Sequence, residues 1–189
     1  MNVVDYRYWI DLKSTWLFGK GLCRVPRNYY LDLVKHYEPN SFLDLGCGLG
    51  ETYRLFRRNG VDLYYEGIDV IPNFIEICRR RYPEADFTVG RIQEIQHPTN
   101  SFDMVSCRCV LEHLPDPTPA IKEMARVSAE TVVIVWFKWP GKADRYKYKK
   151  AGYWENKYSR ERMLDVMASA NLMLKDEIIE QRHLVWVLE

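Results

Sequence analysis

No stretch of this 189-residue chain is long and apolar enough to span a bilayer. A membrane helix needs about 20 apolar residues, and the longest apolar run, TVVIVWF from Thr131 to Phe137, falls far short. Cysteine is sparse and scattered: Cys23, Cys47, Cys78, Cys107 and Cys109 form no CxxC pair and offer no zinc spacing. That pattern argues against a zinc module and against a disulfide-stapled secreted scaffold, and no metal site is expected. Asp5, Arg7 and Asp11 interrupt the apolar residues at the start, unlike a secretory leader, so a soluble cytoplasmic protein is the expectation. Repeats and low-complexity linkers are also missing. Net charge is nearly nil, 27 Lys and Arg against 26 Asp and Glu for +1.

What is present is a core and an uneven distribution of charge. A hydrophobic fraction of 47% and an aromatic fraction of 14% suit one folded domain. Lys138 to Arg162 holds nine basic and three acidic residues, a local +6. Met1 to Arg27 holds five and two, a local +3, which leaves −8 for the remainder. Two basic, aromatic-rich segments therefore accompany an acidic body.

Strand and helix patterns alternate. SFLDLG (41–46), LYYEGIDV (63–70), DFTVG (86–90), FDMVSCR (102–108) and TVVIVWF (131–137) read as strands. Helices are expected over ETYRLFRR, stopped by Asn59-Gly60, over PNFIEICRRRYP with Pro72 at its start, and over 117–128. A last helix, 159–171, has Ser159 as its N-cap. LKDEII and HLVWVLE close the chain as two strands too near each other for a crossover helix, hence antiparallel. The expected fold is an α/β doubly wound open sheet of seven mostly parallel strands, the last antiparallel, with helices on both faces.

In such a sheet a nucleotide binds at the carboxyl end of the first strand. Here that end reads LDLGCGLGE, with Gly46, Gly48 and Gly50 where a side chain would obstruct the ligand. The third glycine of a dinucleotide fingerprint is replaced by Glu51, which would repel a pyrophosphate at the helix start. Asp44 adds a second acid, so a ligand with a cationic amino-acid end fits better than a diphosphate.

LDLGCGLG resembles the first motif of the class I S-adenosylmethionine-dependent methyltransferases, in their small-molecule branch. Asp69 in EGIDV, the stretch TNSFDMVSC, the segment VLEHLPDP and the antiparallel final pair are similar to that family's features in the same order. The resemblance covers about residue 26 onward and implies S-adenosylmethionine as cofactor. It implies a cofactor site drawn from Asp44, Gly46, Cys47, Gly48, Gly50, Asp69, Val70, Arg91, Ile92, Cys107 and Arg108, with Asp69 taking both ribose hydroxyls. Many members have an acid that accepts from the adenine amino group; here Arg91 stands there, which cannot accept but can stack. The backbone N–H of Ile92 is left to meet a ring nitrogen.

Methyl transfer needs positioning more than covalent help. His113, just after the fourth strand, is the best-placed general base, with Glu112 and Asp116 beside it in the chain; a hydrogen-bonded strut is its equally good alternative role. Neither the Pro-Cys of pyrimidine C5 methyltransferases nor the Asp/Asn-Pro-Pro-aromatic stretch of amino-methylating nucleic-acid enzymes occurs. The basic insertion 138–158 and the N-terminal segment 1–25, read as an aromatic helical lid, would face the acceptor through Tyr8, Trp9, Tyr153 and Trp154. The reading is one domain over 26–189, a methyltransferase acting on a small anionic molecule. The alternatives are an RNA methyltransferase and a non-catalytic cofactor-binding subunit.

Overall fold

The computed structural model describes residues 27–150, 153–181 and 183–189; Tyr8, Trp9 and the lid expected over 1–25 lie outside them. In chain order the elements are α1 (Asn28–Tyr37), β1 (Ser41–Leu45), α2 (Glu51–Arg58), β2 (Tyr64–Asp69), α3 (Pro72–Arg81), β3 (Asp86–Val89) and β4 (Phe102–Arg108). A 3-10 turn (Leu111–His113) leads to α4 (Thr118–Val127) and β5 (Ser128–Trp136). Then come β6 (Tyr148–Lys149), β7 (Tyr153–Trp154), α5 (Arg160–Ser169), β8 (Leu174–Glu180) and β9 (His183–Leu188).

Seven strands form one sheet in the order β3-β2-β1-β4-β5-β9-β8. β9 alone runs against its neighbours, pairing antiparallel with both β5 and β8. The expected architecture is therefore the one observed. Side-chain alternation along each strand divides the interior in two. Val132, Ile134 and Trp136 of β5 and Leu184, Trp186 and Leu188 of β9 pack with α4 and α5 on one face. Val133, Val135, Val185 and Val187 join an aromatic cluster with Tyr29, Tyr30, Phe42, Phe56, Tyr65, Tyr82 and Phe87 on the other. Central strands covered on both sides have to be apolar throughout, and all six residues of β9 are buried.

Local signals fix the helix ends. Pro72 opens α3, where its missing N–H costs nothing. The Ser159 side chain accepts a hydrogen bond from the Arg162 N–H and caps α5. Arg57 and Arg58 sit in the last turn of α2, where the helix dipole favours cations. Three boundaries differ from expectation. β5 begins at Ser128 rather than Thr131, because Ser128 already pairs with Phe102 of β4 ahead of a register shift, with Ala129 and Glu130 exposed between. α1 was not expected at all. The basic segment is not an irregular insertion but folds partly into a ribbon, β6 against β7.

Candidate functional site

The polypeptide leaves β1 through three left-handed residues, Gly46 (φ 74°), Gly48 (φ 58°) and Gly50 (φ 72°). L side chains are strained there, which explains the residue type. Space adds a second constraint at Gly46: a Cβ would fall 2.3 Å from Cγ2 of Val110, the residue that closes over the turn after β4. The Gly46 and Cys47 N–H groups both donate to the Ile68 carbonyl, at 2.7 and 3.1 Å, tying the turn to β2.

Asp69 ends β2 and organises this corner. Its Oδ2 accepts from the Gly48 N–H and its Oδ1 from the Ile71 N–H, each at 2.9 Å. Burial raises its pKa to about 6, against the lowering effect of those two N–H donors. Each carboxylate oxygen has a further lone pair to accept from a ligand hydroxyl. Asp44 lies beneath the turn, where its Oδ2 accepts from the Tyr65 hydroxyl at 2.8 Å and burial raises its pKa. That bond ties β1 to β2 beneath the turn.

Other expected cofactor residues divide by depth. The thiols of Cys47 and Cys107 are buried and burial pushes both well up, so only their backbone can serve a ligand. Val70 and Ile92 are apolar walls, the first packed with Leu49, Ile71 and Phe74, the second in the aliphatic core. Arg91 is exposed and bridged to Glu94 through the backbone. Arg108 differs from these. Its Nε donates to the Tyr29 hydroxyl at 3.1 Å, while its buried Nη2 has no hydrogen-bond partner among the described residues. Burial pulls its pKa down, but interaction with Cys109, Tyr29 and Tyr30 outweighs that and holds it above the ordinary value. Tyr29, at the start of α1, was missed in the sequence. The spacing of Tyr29, Tyr30, Leu33 and Val34 was the available signal.

Beyond β4 the three acid–base candidates separate. Asp116 accepts from the N–H and hydroxyl of Thr118 and pairs with Arg162 at 3.3 Å, so it caps α4 rather than facing a ligand. Glu112 is fully buried; its Oε1 accepts from the Phe137 and Lys138 N–H groups at 2.8 and 3.2 Å, and its Oε2 has no partner among the described residues. Burial raises it to about 7. His113 Nδ1 lies 2.7 Å from the Trp154 carbonyl, and its ring is 5.5 Å from Phe137 and 5.9 Å from Tyr153. A carbonyl only accepts, so Nδ1 holds the proton and Nε2 the lone pair of the neutral ring. Burial lowers the His113 pKa and keeps it neutral. The structure thus brings His113, Tyr153 and Trp154 together.

The basic segment is fastened underneath this point. Asn156 donates to the Leu114 carbonyl at 2.7 Å and accepts from the Lys147 N–H at 3.0 Å, while the Tyr158 hydroxyl donates to the same Leu114 carbonyl at 2.5 Å. Two surface hollows lie at the other end of the sheet, one beside Ser128, Asn171 and Glu189, one beside Asn40, Val61 and Leu63. Among the described residues no group of three His, Cys, Asp or Glu is placed to hold a metal, and no helix is long and apolar enough to cross a membrane.

A glycine turn at β1, a buried acid at the end of β2 and a reversed strand between β5 and β8 coincide with a family match. Residues 43–135 match the model described as a methyltransferase domain. Over that segment, just short of half its length, the chain is a methyltransferase domain. It is 36% identical over 90 residues to the ubiquinone biosynthesis O-methyltransferase of Xanthomonas oryzae pv. oryzae, covering 45% of this chain and 37% of that protein. It is 31% identical over 104 residues to the ajmaline N-methyltransferase of Rauvolfia serpentina, covering 52% and 35%. The matched region thus spans little more than a third of these relatives' length. Among solved structures, the 1,6-didemethyltoxoflavin-N1-methyltransferase of Burkholderia thailandensis, with bound 1,6-didemethyltoxoflavin and S-adenosylhomocysteine, superposes with a TM-score of 0.72 at 17% identity, over 92% of this chain and 80% of that one. An S-adenosylmethionine-dependent methyltransferase from Clostridium acetobutylicum gives 0.71 at 9% identity over 97% and 98%. At such identities the likeness is one of fold.

Proposed function

We propose that this methyltransferase domain binds S-adenosylmethionine over Gly46–Gly50 and transfers its methyl group to a small, anionic acceptor beside His113. The observation that carries the reading is the Gly48–Asp69 hydrogen bond, which locks a buried carboxylate against the glycine turn. Asp69 would hold the ribose hydroxyls. β1 lies between β2 and β4, so a ligand laid from Asp69 across the turn ends over Arg108. Its unmatched Nη2 would hold the carboxylate of the amino-acid end. Val70 and Ile92 would wall the adenine. The residues fit the cofactor at both polar ends.

Bound there, the cofactor supplies a methyl group on a sulfonium, an electrophile that needs an aligned nucleophile and little else. His113 would orient the ribbon through Trp154, and its neutral ring is the form a general base needs for an acceptor that must lose a proton. Tyr153 and Trp154 would line the acceptor. Relatives named for ajmaline, ubiquinone biosynthesis and 1,6-didemethyltoxoflavin support a small acceptor. The local +6 after β5 supports an anionic one.

Transfer of radiolabelled methyl from S-adenosylmethionine into separate metabolite and RNA pools tests this. Label in an acidic small molecule is expected. Label in RNA alone, or cofactor binding with no transfer to any pool, would contradict the proposal.

A further inference from the structure

The nine cations between Lys138 and Arg162 are not equivalent once their partners are known. Glu155 pairs with Lys138 at 3.5 Å and with Lys149. Asp144 pairs with Arg162 at 2.9 Å and also accepts from the Ser159 N–H and the Tyr146 hydroxyl. Burial would raise the Asp144 carboxyl, but these donors outweigh it and hold it at about 2, so it stays an anion committed to its own loop. Arg160 pairs with Glu177 on β8. Among the described residues Arg145, Lys147 and Lys157 have no ion pair, and neither do Lys142 and Lys150.

Three of these unpaired cations share one face of the ribbon. Arg145 and Lys157 sit directly opposite each other: the Arg145 N–H donates to the Lys157 carbonyl at 2.7 Å, and the Lys157 N–H returns the bond at 2.9 Å. Lys147 follows two residues along on the same side. Like charges directly opposite in an antiparallel pair repel. Lys157 is also held rather than loose, because its stem lies over Gly141, where a Cβ would come 2.7 Å from its Cε and 3.1 Å from its Nζ. Glu155 stands opposite Lys147 on this face but is engaged by Lys138 and Lys149, so the cluster stays net cationic, a cost to the fold unless something anionic occupies it. The same face carries Tyr153, next to His113 and about 13 Å from Lys157 at the rise of an extended strand.

We propose that Arg145, Lys147 and Lys157 form a subsite for a compact oxyanion, a phosphate or carboxylate group at the far end of an elongated acceptor. This rests on the functional reading above for the place where methyl emerges. It also divides the basic segment: Lys138, Lys149, Arg160 and Arg162 hold the loop together, and the cross-strand pair reads the ligand.

Thermal melting and calorimetry of the full chain with inorganic phosphate, against sodium chloride at equal ionic strength, test the subsite. A saturable stabilisation of the wild type is expected. Arg145→Gln and Lys157→Gln should each weaken phosphate at least tenfold, yet melt no lower than wild type in low-salt chloride, since each relieves the repulsion. Lys150→Gln should behave as wild type. Absence of a saturable phosphate effect, its survival in both variants, or equal loss in Lys150→Gln would overturn the proposal. So would single-stranded oligonucleotide binding tighter than phosphate with a steep salt dependence, about 0.7 log units per contact. S-adenosylhomocysteine titrations of the same proteins keep the two readings apart. Lost phosphate binding with unchanged S-adenosylhomocysteine affinity supports the subsite. A wild type that binds phosphate but not S-adenosylhomocysteine would overturn the cofactor reading and leave the subsite standing.

Discussion

The corner between β1 and β2 and the ribbon after β5 lie at the same end of the sheet, yet they are built by different physics. The corner is held by buried backbone hydrogen bonds: Gly46 and Cys47 to Ile68, Gly48 and Ile71 to Asp69. Water is excluded, so each bond is strong and each residue type is dictated. The ribbon is tied at its base by buried Asn156 and Tyr158, but its cationic outer face is held by half-exposed ion pairs around Glu155 and Asp144, which solvent screens. A site of the first kind tolerates almost no substitution and recurs among proteins that share a cofactor. A site of the second kind can be rewritten at little cost to the fold, which is what acceptor specificity requires.

Substitution should expose that difference, starting where it is greatest. Gly46→Ala places a side chain at φ 74° and against Val110. A loss of about 1–3 kcal/mol of stability from the backbone alone is expected, together with loss of S-adenosylhomocysteine binding, measured by denaturation and calorimetry. A variant with wild-type values of both would erase the contrast. Arg108→Met should weaken S-adenosylhomocysteine by about 1.5–3 kcal/mol, the worth of a charged hydrogen bond. It should leave 5′-methylthioadenosine, which lacks the amino-acid end, unaffected. Equal losses for both ligands would make Arg108 a strut for Tyr29 instead.

Acidity gives a subtler comparison. The folded pKa of Glu112, about 7, lies above an ordinary carboxyl value of about 4.3. Its stabilising contribution is then fully present below pH about 4 and lost as pH rises through about 7. Glu112→Gln imitates the protonated form, so its stability relative to wild type should be greater at pH 8 than at pH 5. A difference independent of pH would show that Glu112 is not protonated in that range. Smallest of all, Lys149→Gln removes one of two partners of Glu155 and should leave the denaturation midpoint nearly unchanged. A marked fall in the midpoint would mean that the ribbon is held as firmly as the glycine corner.

Legibility in the sequence follows the same division. Gly46, Gly48, Gly50 and Asp69 could be read because left-handed backbone and a buried acid leave few residue choices. The reversed strand could be read because two apolar runs stood too close for a crossover. α1 could not, since Arg27 precedes it without a side-chain cap and no start signal stands out. The β6–β7 pairing involves two residues on each side, too few for alternation to register. Asp116 looked like a base in sequence because chain neighbours do not reveal that Thr118 and Arg162 already engage it. The depth of Cys47 and Cys107 could not be read either: the turn packs the first thiol inward and strand alternation does so for the second.

The most direct test is the affinity of wild type and Asp69→Ala for S-adenosylhomocysteine by calorimetry at pH 7.5, about 1.5 units above the folded pKa of Asp69, about 6. The account expects measurable binding by the wild type and a weakening of about 1.5–3 kcal/mol, roughly ten- to hundredfold, in the variant. Equal affinity in the two proteins, or no binding by the wild type, would contradict it.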